Sequence, residues 1–147
     1  MFVVFTLDDW RYGLPLEAVE RVVRVVEITP LPKAPDIVVG VVNVNGRVIA
    51  VVNVRARFRL PQRSVSLSDQ LIVARTPKRS VALLADSVAG VIECAEQETV
   101  PAQAIVPGME YVEGIAKLTD GLILIHDLGR FLSLEEDRRL GEALSNA

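Results

Sequence analysis

The chain has 147 residues, of which 50% are hydrophobic and 24% charged, a composition that excludes an intrinsically disordered protein. Its net charge of −3 provides no basic footprint, which argues against nucleic acid or an anionic membrane surface as a partner, and no apolar run approaches the ~20 residues that direct insertion into a membrane requires. The only cysteine, Cys94, excludes an internal disulfide and fits the reducing cytoplasm.

The first part of the chain predicts a hairpin, a short helix and an extended connector. Phe2–Leu7 and Trp10–Leu14 are apolar and rich in strand-forming residues, so they predict the hairpin. Apolar residues at helical spacing predict a short amphipathic helix over 16–23. That helix must soon become a strand, because β-branched residues fill Val22–Ile28. Three prolines in Thr29–Pro35 predict the connector, since proline cannot donate to a strand ladder.

The centre of the chain carries the strongest hairpin pattern. Two valine-rich runs within Gly40–Arg55 flank Asn45-Gly46, and both of these residues tolerate the positive φ of a type I′ turn. Gln70–Arg75 and Ser80–Asp86 flank a polar tetrapeptide and predict a second hairpin.

The region that follows continues this β pattern with one interruption. Val88–Cys94 predicts a further strand. Glu96–Gly108 contains two prolines and little periodicity, which predicts a loop. The segment 111–126 predicts a third hairpin that turns at Asp120-Gly121.

Taken together, the residues predict a mostly β protein with one C-terminal helix. The chain contains 24 Val and 9 Ile against 14 Ala, an excess of β-branched residues over the best helix former. Ser133 and Glu136 match a capping box, which predicts that the helix occupies 133–145.

Two hairpins resemble each other along the sequence. Gly40 and Asn53 are separated by 13 positions, as are Gly114 and Asp127, and each interval holds a turn pair and an apolar return strand. Two interpretations remain open. Both hairpins need glycine for independent reasons, or the chain contains two similar small β-barrels that pack together as one unit.

Residues with catalytic chemistry are sparse. His126 is the only histidine and ends an apolar strand, and Cys94 has acidic neighbours that would raise its thiol pKa. No metal-ligand spacing and no phosphate-binding glycine loop is present in the sequence, so we expect no metal and no cofactor. These observations predict a non-enzymatic interaction module. The alternative, a small β-barrel enzyme or ligand-binding domain, has only His126 and Asp127 as a nucleus.

The stretch GVVNVNGRVIAVVNVR resembles the hallmark of the CheW family, the coupling proteins of bacterial chemotaxis arrays. The resemblance extends in order through the first hairpin, the proline connector, the segment Leu84–Val91, the last hairpin and the C-terminal helix. The residues of the stretch that match the hallmark are Gly40, Asn43, Gly46, Val51 and Arg55.

The resemblance implies a fold and a function. The fold would be a single CheW-like domain over 1–147, made of two packed, intertwined five-stranded SH3-like β-barrels with short connecting helices and the C-terminal helix. The function would be that of a cytoplasmic adaptor at membrane-associated receptor arrays. Its partners would be the regulatory domain of a CheA-type histidine kinase and the cytoplasmic tip of methyl-accepting chemoreceptors, a helical hairpin docked by apolar burial.

Four positions depart from the family pattern. Asn45 stands where the family usually has Arg, Asn53 where it has Asp, Ala50 where it has Pro, and Arg21 where it has Glu. If Arg21 and Asn45 lie close together, the asparagine avoids the repulsion of two arginines. Independent drift on solvated surface is the other interpretation.

These departures indicate a divergent member of the family. Its alternatives are a CheW-fold protein in a non-chemotactic pathway and a competitor that binds the kinase without coupling it to receptors. For Val19 and Val48 a core position is an equal alternative to partner contact. The residues predicted to contact partners are Val19 and Arg21 on the short helix, Asn43, Asn45, Gly46 and Val48 on the central hairpin, and Asn53 after it.

Overall fold

A computed structural model describes residues 1–93, 99–101, 112–118, 121–126, 128 and 132–145. In these ranges the chain forms eleven β-strands in two sheets, one single-turn 3₁₀ helix and two α-helices. This is the mostly β architecture with a C-terminal helix that the sequence predicts.

The first sheet combines strands from the beginning of the chain with strands from its second half. Its order is β8-β1-β2-β11-β10-β9, with β2 and β11 parallel and the other neighbours antiparallel. The short strand β9 gives this sheet its sixth member. The strands are β1 (Phe2–Leu7), β2 (Trp10–Pro15), β8 (Ser87–Ile92), β9 (Thr99–Pro101), β10 (Val112–Leu118) and β11 (Gly121–His126).

The second sheet is built from one continuous part of the chain. Its five strands follow the order β3-β6-β7-β5-β4, with β5 and β7 parallel. The strands are β3 (Val19–Arg24), β4 (Val38–Val44), β5 (Arg47–Val52), β6 (Gln70–Arg75) and β7 (Ser80–Ala85).

A single bridge links the two edge regions of the second sheet. The Thr29 and Val41 backbones exchange hydrogen bonds of 2.9 and 2.8 Å, so the segment after β3 meets β4. A Cβ atom at Gly40 would collide with the Thr29 carbonyl oxygen, which explains glycine at this position. Closure of two complete barrels stays a prediction.

The hydrophobic core has three parts. The largest part lies between the sheets and includes Phe5 and Leu14 from the first sheet and Ile72 and Leu83 from the second. A second part uses residues of the second sheet, among them Val51. A third part belongs to the first sheet. Alternation along each strand produces this division, because successive side chains point to opposite faces.

The two helices pack around these sheets. Helix α1 (Val54–Arg57) follows β5 directly, and helix α2 (Leu134–Ser145) packs Leu140 into the core between the sheets. The predicted capping box is confirmed. Ser133 Oγ accepts from the Glu136 amide at 3.1 Å, and Glu136 Oε1 accepts from the Ser133 amide at 2.9 Å.

The two similar hairpins share their geometry as well as their sequence. Gly40 pairs with Val51 and Gly114 pairs with Ile125, and in each hairpin the register shifts just before the glycine. Each return strand then pairs in parallel with a strand outside its hairpin. The interpretation as two similar units is therefore favoured over unrelated hairpins. Asp127 lies outside the described residues.

Two sequence predictions are wrong. The amphipathic helix over 16–23 is only a 3₁₀ turn at Leu16–Ala18, and its second half is β3, because β-branched valines favour a strand paired with β6. Within the predicted loop 96–108 the structure describes 99–101, and these residues form β9. The rest of that loop lies outside the described residues.

Candidate functional site

The predicted partner residues lie on strands and turns of the second sheet. Val19 and Arg21 belong to β3, opposite Ala74 and Val73 of β6, and not to a helix. The Asn45-Gly46 turn joins β4 to β5, with φ angles of 51° and 83°. These angles confirm the turn conformation predicted from the sequence.

Asn43 organises this turn from within β4. Its side-chain oxygen accepts a hydrogen bond of 2.8 Å from the backbone amide of Gly46. The amide would otherwise point to solvent at the tip of the hairpin. Asn43 therefore fixes the direction in which the exposed turn projects.

Arg21 reaches the same turn from the opposite edge of the sheet. With the Asn45 amide oriented so that its oxygen faces the guanidinium, that oxygen accepts from both terminal nitrogens of Arg21, at 3.3 Å for Nη2. Arg21 and Asn45 therefore lie close together, as one of the two interpretations of their departure from the family pattern requires. A neutral acceptor meets Arg21 here, whereas an arginine at position 45 would repel it.

A carboxylate links β3 to β5 and β7, two strands that are not its neighbours in the sheet. Glu20 accepts 3.0 Å from Arg47 Nη1 and 2.7 Å from the Ser80 hydroxyl, and Arg47 Nη2 donates to Ser80 Oγ at 3.1 Å. Glu20 is the extra residue where the register of β3 shifts, so its side chain is free to reach across. The hydrogen bonds from Ser80 and then Arg47 hold the Glu20 pKa below its ordinary value.

These side chains share one end of one face of the sheet. Val23, Ile49 and Val73 point into the core of the second sheet. Arg21, Arg47 and Arg75 each lie two positions from one of these residues on the same strand, so they are on the same face. At this end the apolar face thus becomes polar. We call the resulting surface the polar lid, and it consists of Glu20, Arg21, Asn45, Arg47, Arg75 and Ser80.

The other predicted residues differ in their surroundings. Val48 pairs with Asn43 beside the lid and is 60% exposed, so the core alternative does not apply to it. Val19 is half-buried and packs against the core between the sheets. Asn53 caps α1 by accepting from the Ala56 amide at 3.1 Å, and it donates to Gln62 at 2.6 Å. Asn53 is therefore separate from the lid.

The sequence analysis missed a second charged cluster, which joins the two sheets. Arg55 of α1 donates from Nη2 to Asp8 and Asp86, each at 2.7 Å, and from Nη1 to the Pro61 carbonyl at 2.9 Å. Asp8 lies in the β1–β2 turn, and Asp86 lies between β7 and β8. The guanidinium thereby fastens a turn of the first sheet to the end of the second.

Arg63 and Asp69 extend this cluster into the link before β6. Arg63 Nη2 lies 2.6 Å from Asp69 and 2.5 Å from Asp86, and Asp69 also accepts from the Ser66 amide at 2.8 Å. We call Asp8, Arg55, Arg63, Asp69 and Asp86 the ion clamp. Burial raises the Asp86 pKa, but hydrogen bonds from Arg55, the Asp8 amide and Arg63 outweigh burial and hold it below its ordinary value.

Ion pairs also attach the C-terminal helix to the second sheet. Arg57 of α1 contacts Glu136 at 2.6 Å, and Arg79 before β7 contacts Asp137 at 3.0 Å. Both carboxylates belong to the first turn of α2, where the helix dipole favours negative charge. Glu136 thus serves both in the predicted capping box and in an ion pair with Arg57.

In the part of the chain that the structure describes, no group of three or more His, Cys, Asp or Glu residues is placed to hold a metal ion. Cys94, Asp127 and the side chain of His126 lie outside the described residues. No helix of the described ranges is long and apolar enough to cross a membrane.

Comparisons with known proteins identify relatives over most of the chain. A family model described as CheW-like domain matches residues 1–136. The chain is 26% identical to a chemotaxis protein CheW of Klebsiella aerogenes, covering 92% of this chain and 82% of that protein. It is 31% identical to one from Thermotoga maritima, covering 83% and 80%. The crystal structure of the scaffolding protein TtCheW from Thermoanaerobacter tengcongensis superposes with a TM-score of 0.83 at 31% identity, covering 92% and 93%.

Proposed function

The chain belongs to the family of CheW-like domains, the non-enzymatic scaffold proteins of chemotaxis signalling, and we propose that it couples a CheA-type histidine kinase to chemoreceptors. The observation that carries this proposal is the match of fold and sequence along almost the whole chain, including a TM-score of 0.83 to a scaffolding protein. The partners are the regulatory domain of the kinase and the cytoplasmic tip of the receptors. The adaptor then works in the cytoplasm, at the receptor array.

The exposed part of the second sheet supports a partner surface. Arg21, Asn43, Asn45 and Gly46 meet at one hairpin turn, and Val48 beside them is 60% exposed. A rigid turn flanked by an exposed apolar side chain can dock without a large entropy cost. We assign Val19 to packing against the core and Asn53 to capping α1, because their side chains have those partners.

The test is reconstitution with components of the organism that encodes this chain. The tagged protein should capture the CheA-type kinase and the receptors from its own cells. With purified kinase and receptor-containing membranes, addition of the adaptor should change kinase autophosphorylation in response to receptor stimulus. Failure to bind either component would contradict the proposal.

A matched variant locates the contact. Arg47→Glu reverses a charge beside the hairpin turn, whereas Arg138→Glu reverses one on α2, and the two arginine side chains have similar exposed fractions of 59% and 56%. We expect the first change to weaken kinase or receptor binding and the second to leave it unchanged. Kinase binding without receptor-dependent control would instead identify the competitor alternative.

A further inference from the structure

The β4–β5 turn holds the one asparagine of this chain that a glycine follows. Asn43 and Asn53 precede valines, and Asn146 precedes alanine. The backbone nitrogen after an asparagine can attack the side-chain amide carbon of that asparagine, and a side chain on the attacking residue obstructs the approach. Gly46 has no side chain, and both Asn45 and Gly46 are exposed to water. Asn45 is therefore the asparagine whose amide is most open to this attack.

Arg21 polarises the amide that is open to attack. The side-chain oxygen of Asn45 accepts from both terminal nitrogens of Arg21, at 3.3 Å for Nη2. A cationic donor on this oxygen draws electrons from the amide carbon, and it stabilises the negative charge that forms on the oxygen when a nucleophile adds. The guanidinium thus makes the amide carbon of Asn45 a better target.

Asn43 restrains the attacking atom. The backbone N–H of Gly46 donates to the Asn43 side-chain oxygen at 2.8 Å. The nitrogen must lose this proton to react, and the hydrogen bond holds the proton in place. The φ angles of 51° at Asn45 and 83° at Gly46 belong to a closed turn, whereas ring closure requires a different backbone angle at Asn45. The folded hairpin therefore slows the reaction.

The fold also provides a partner for the product. Replacement of the neutral amide at position 45 by a carboxylate changes the net charge of the chain from −3 to −4. The new carboxylate faces the Arg21 guanidinium, which it matches in geometry and charge. The usual family residues at these positions are Glu at 21 and Arg at 45, so the product restores an ion pair with its two charges exchanged.

We propose that Asn45 is a site of spontaneous deamidation, assisted by Arg21 and restrained by Asn43. The Gly46 nitrogen gives its proton to water and forms a bond to Asn45 Cγ, and the bond from Cγ to the side-chain nitrogen breaks to release ammonia. Water then opens the resulting succinimide ring at either carbonyl, which yields aspartate or isoaspartate. Water is the only other reactant. The inference does not depend on the coupling function, because only residues of this chain take part.

The two products have different consequences for the hairpin. Aspartate keeps the backbone of the turn and adds the charge opposite Arg21. Isoaspartate places an extra carbon in the main chain of a two-residue turn, between strands whose pairs include Asn43 with Val48 and Val44 with Arg47. A longer turn does not fit this register. The aspartate product therefore preserves the sheet.

The experiment is incubation of the full chain in mildly alkaline buffer, with the products followed by mass spectrometry of proteolytic peptides. Fragmentation of these peptides distinguishes position 45 from position 43. We expect the replacement of NH₂ by OH at Asn45, faster as the pH rises, and slower reaction at Asn43 and Asn53. Reaction at Asn45 no faster than at those two residues would overturn the inference.

Variants test the two neighbouring residues. Asn43→Ala frees the Gly46 amide and should raise the rate at Asn45 about fivefold. Arg21→Gln should lower the rate about fivefold, and Arg21→Lys, which keeps the charge, should recover part of it. Arg24→Gln removes the other arginine of β3 and should leave the rate unchanged. Equal rates in Arg21→Gln and Arg24→Gln, or a slower reaction in Asn43→Ala, would contradict the proposal.

A stability measurement tests the pairing of the product. Asn45→Asp should raise the melting temperature by about 1–3 °C, because it creates an exposed ion pair with Arg21. Arg21→Gln should cancel this rise, and so should high salt. A melting temperature that Asn45→Asp lowers equally with and without Arg21→Gln would show that the fold does not accommodate the carboxylate.

Discussion

The ion clamp and the polar lid use the same chemical groups in opposite ways. In the clamp, the Arg55 and Asp69 side chains are 9% and 2% exposed, and each arginine contacts two carboxylates. In the lid, Arg47 is 59% exposed and three arginines have one carboxylate among them. The clamp is built around two buried groups and pairs every charge with an opposite one, whereas the lid is open and retains excess positive charge.

This difference predicts a structural role for the clamp and a recognition role for the lid. Buried charges are costly to leave without partners, so the clamp fixes the sheets relative to each other. Exposed ion pairs add little to stability, so the lid can exchange its water for another molecule at small cost. Removing a charge from the clamp should therefore destabilise the protein, whereas removing a charge from the lid should alter binding.

The largest effect is expected for Arg55→Ala. The change removes the buried guanidinium that Asp8 and Asp86 share, while Asp86 keeps its contact with Arg63, and we expect a loss of about 2–3 kcal/mol in the free energy of unfolding. Urea unfolding followed by circular dichroism measures this loss. A loss below about 1 kcal/mol, the value typical of an exposed pair, would remove the distinction between clamp and lid.

Acid should weaken the clamp next. The Asp86 pKa is below its ordinary value in the folded protein, so the unfolded chain takes up this proton first as the pH falls. Its stabilising contribution should be constant from neutral pH to about pH 5 and should decline below about pH 4. Unfolding across this range should show a smaller acid loss for Asp86→Asn than for wild type. Equal losses would mean that other carboxyls carry the acid dependence.

A smaller effect is expected for Arg47→Ala in the lid. The pair with Glu20 is exposed, so the free energy of unfolding should fall by less than about 1 kcal/mol. Parallel unfolding of Arg55→Ala and Arg47→Ala under one set of conditions tests the contrast directly. A loss of similar size in both would show that the lid, too, is structural.

Salt should have the smallest effect on folding. At about 0.5 M NaCl the Debye length falls to roughly 4–5 Å, which screens exposed charges more than buried ones. The loss in the free energy of unfolding that Arg47→Ala causes should then approach zero, while the loss that Arg55→Ala causes should remain large. Convergence of the two variants at high salt would contradict the difference in burial.

The sequence was informative where structure depends on neighbouring residues. The Asn45-Gly46 turn and the Ser133 capping box follow from local chemistry, and both are observed. The helix over 16–23 was not, because helical spacing competed with strand preference and pairing with β6 decided the outcome. The preferences of a few neighbouring residues do not include the stabilisation that comes from pairing with a distant strand.

The candidate site shows the same limit. The family pattern relates Arg21 to Asn45, because both residues depart from it. The clamp was missed because Arg55 lies 47 positions from Asp8 and 31 from Asp86, and no local periodicity connects them. Arg55 and Asp86 both match segments of the family pattern. That match is the only feature of the sequence that relates these two residues to each other.

The order of strands has a consequence for how the protein is made. All five strands of the second sheet lie within 19–85, so a ribosome releases them before the first sheet is complete. Strand β2 must wait for β11, its parallel neighbour from the other end of the chain. Contacts between distant segments form slowly. We therefore expect the second sheet to assemble first during synthesis and to serve as the template on which the first sheet closes.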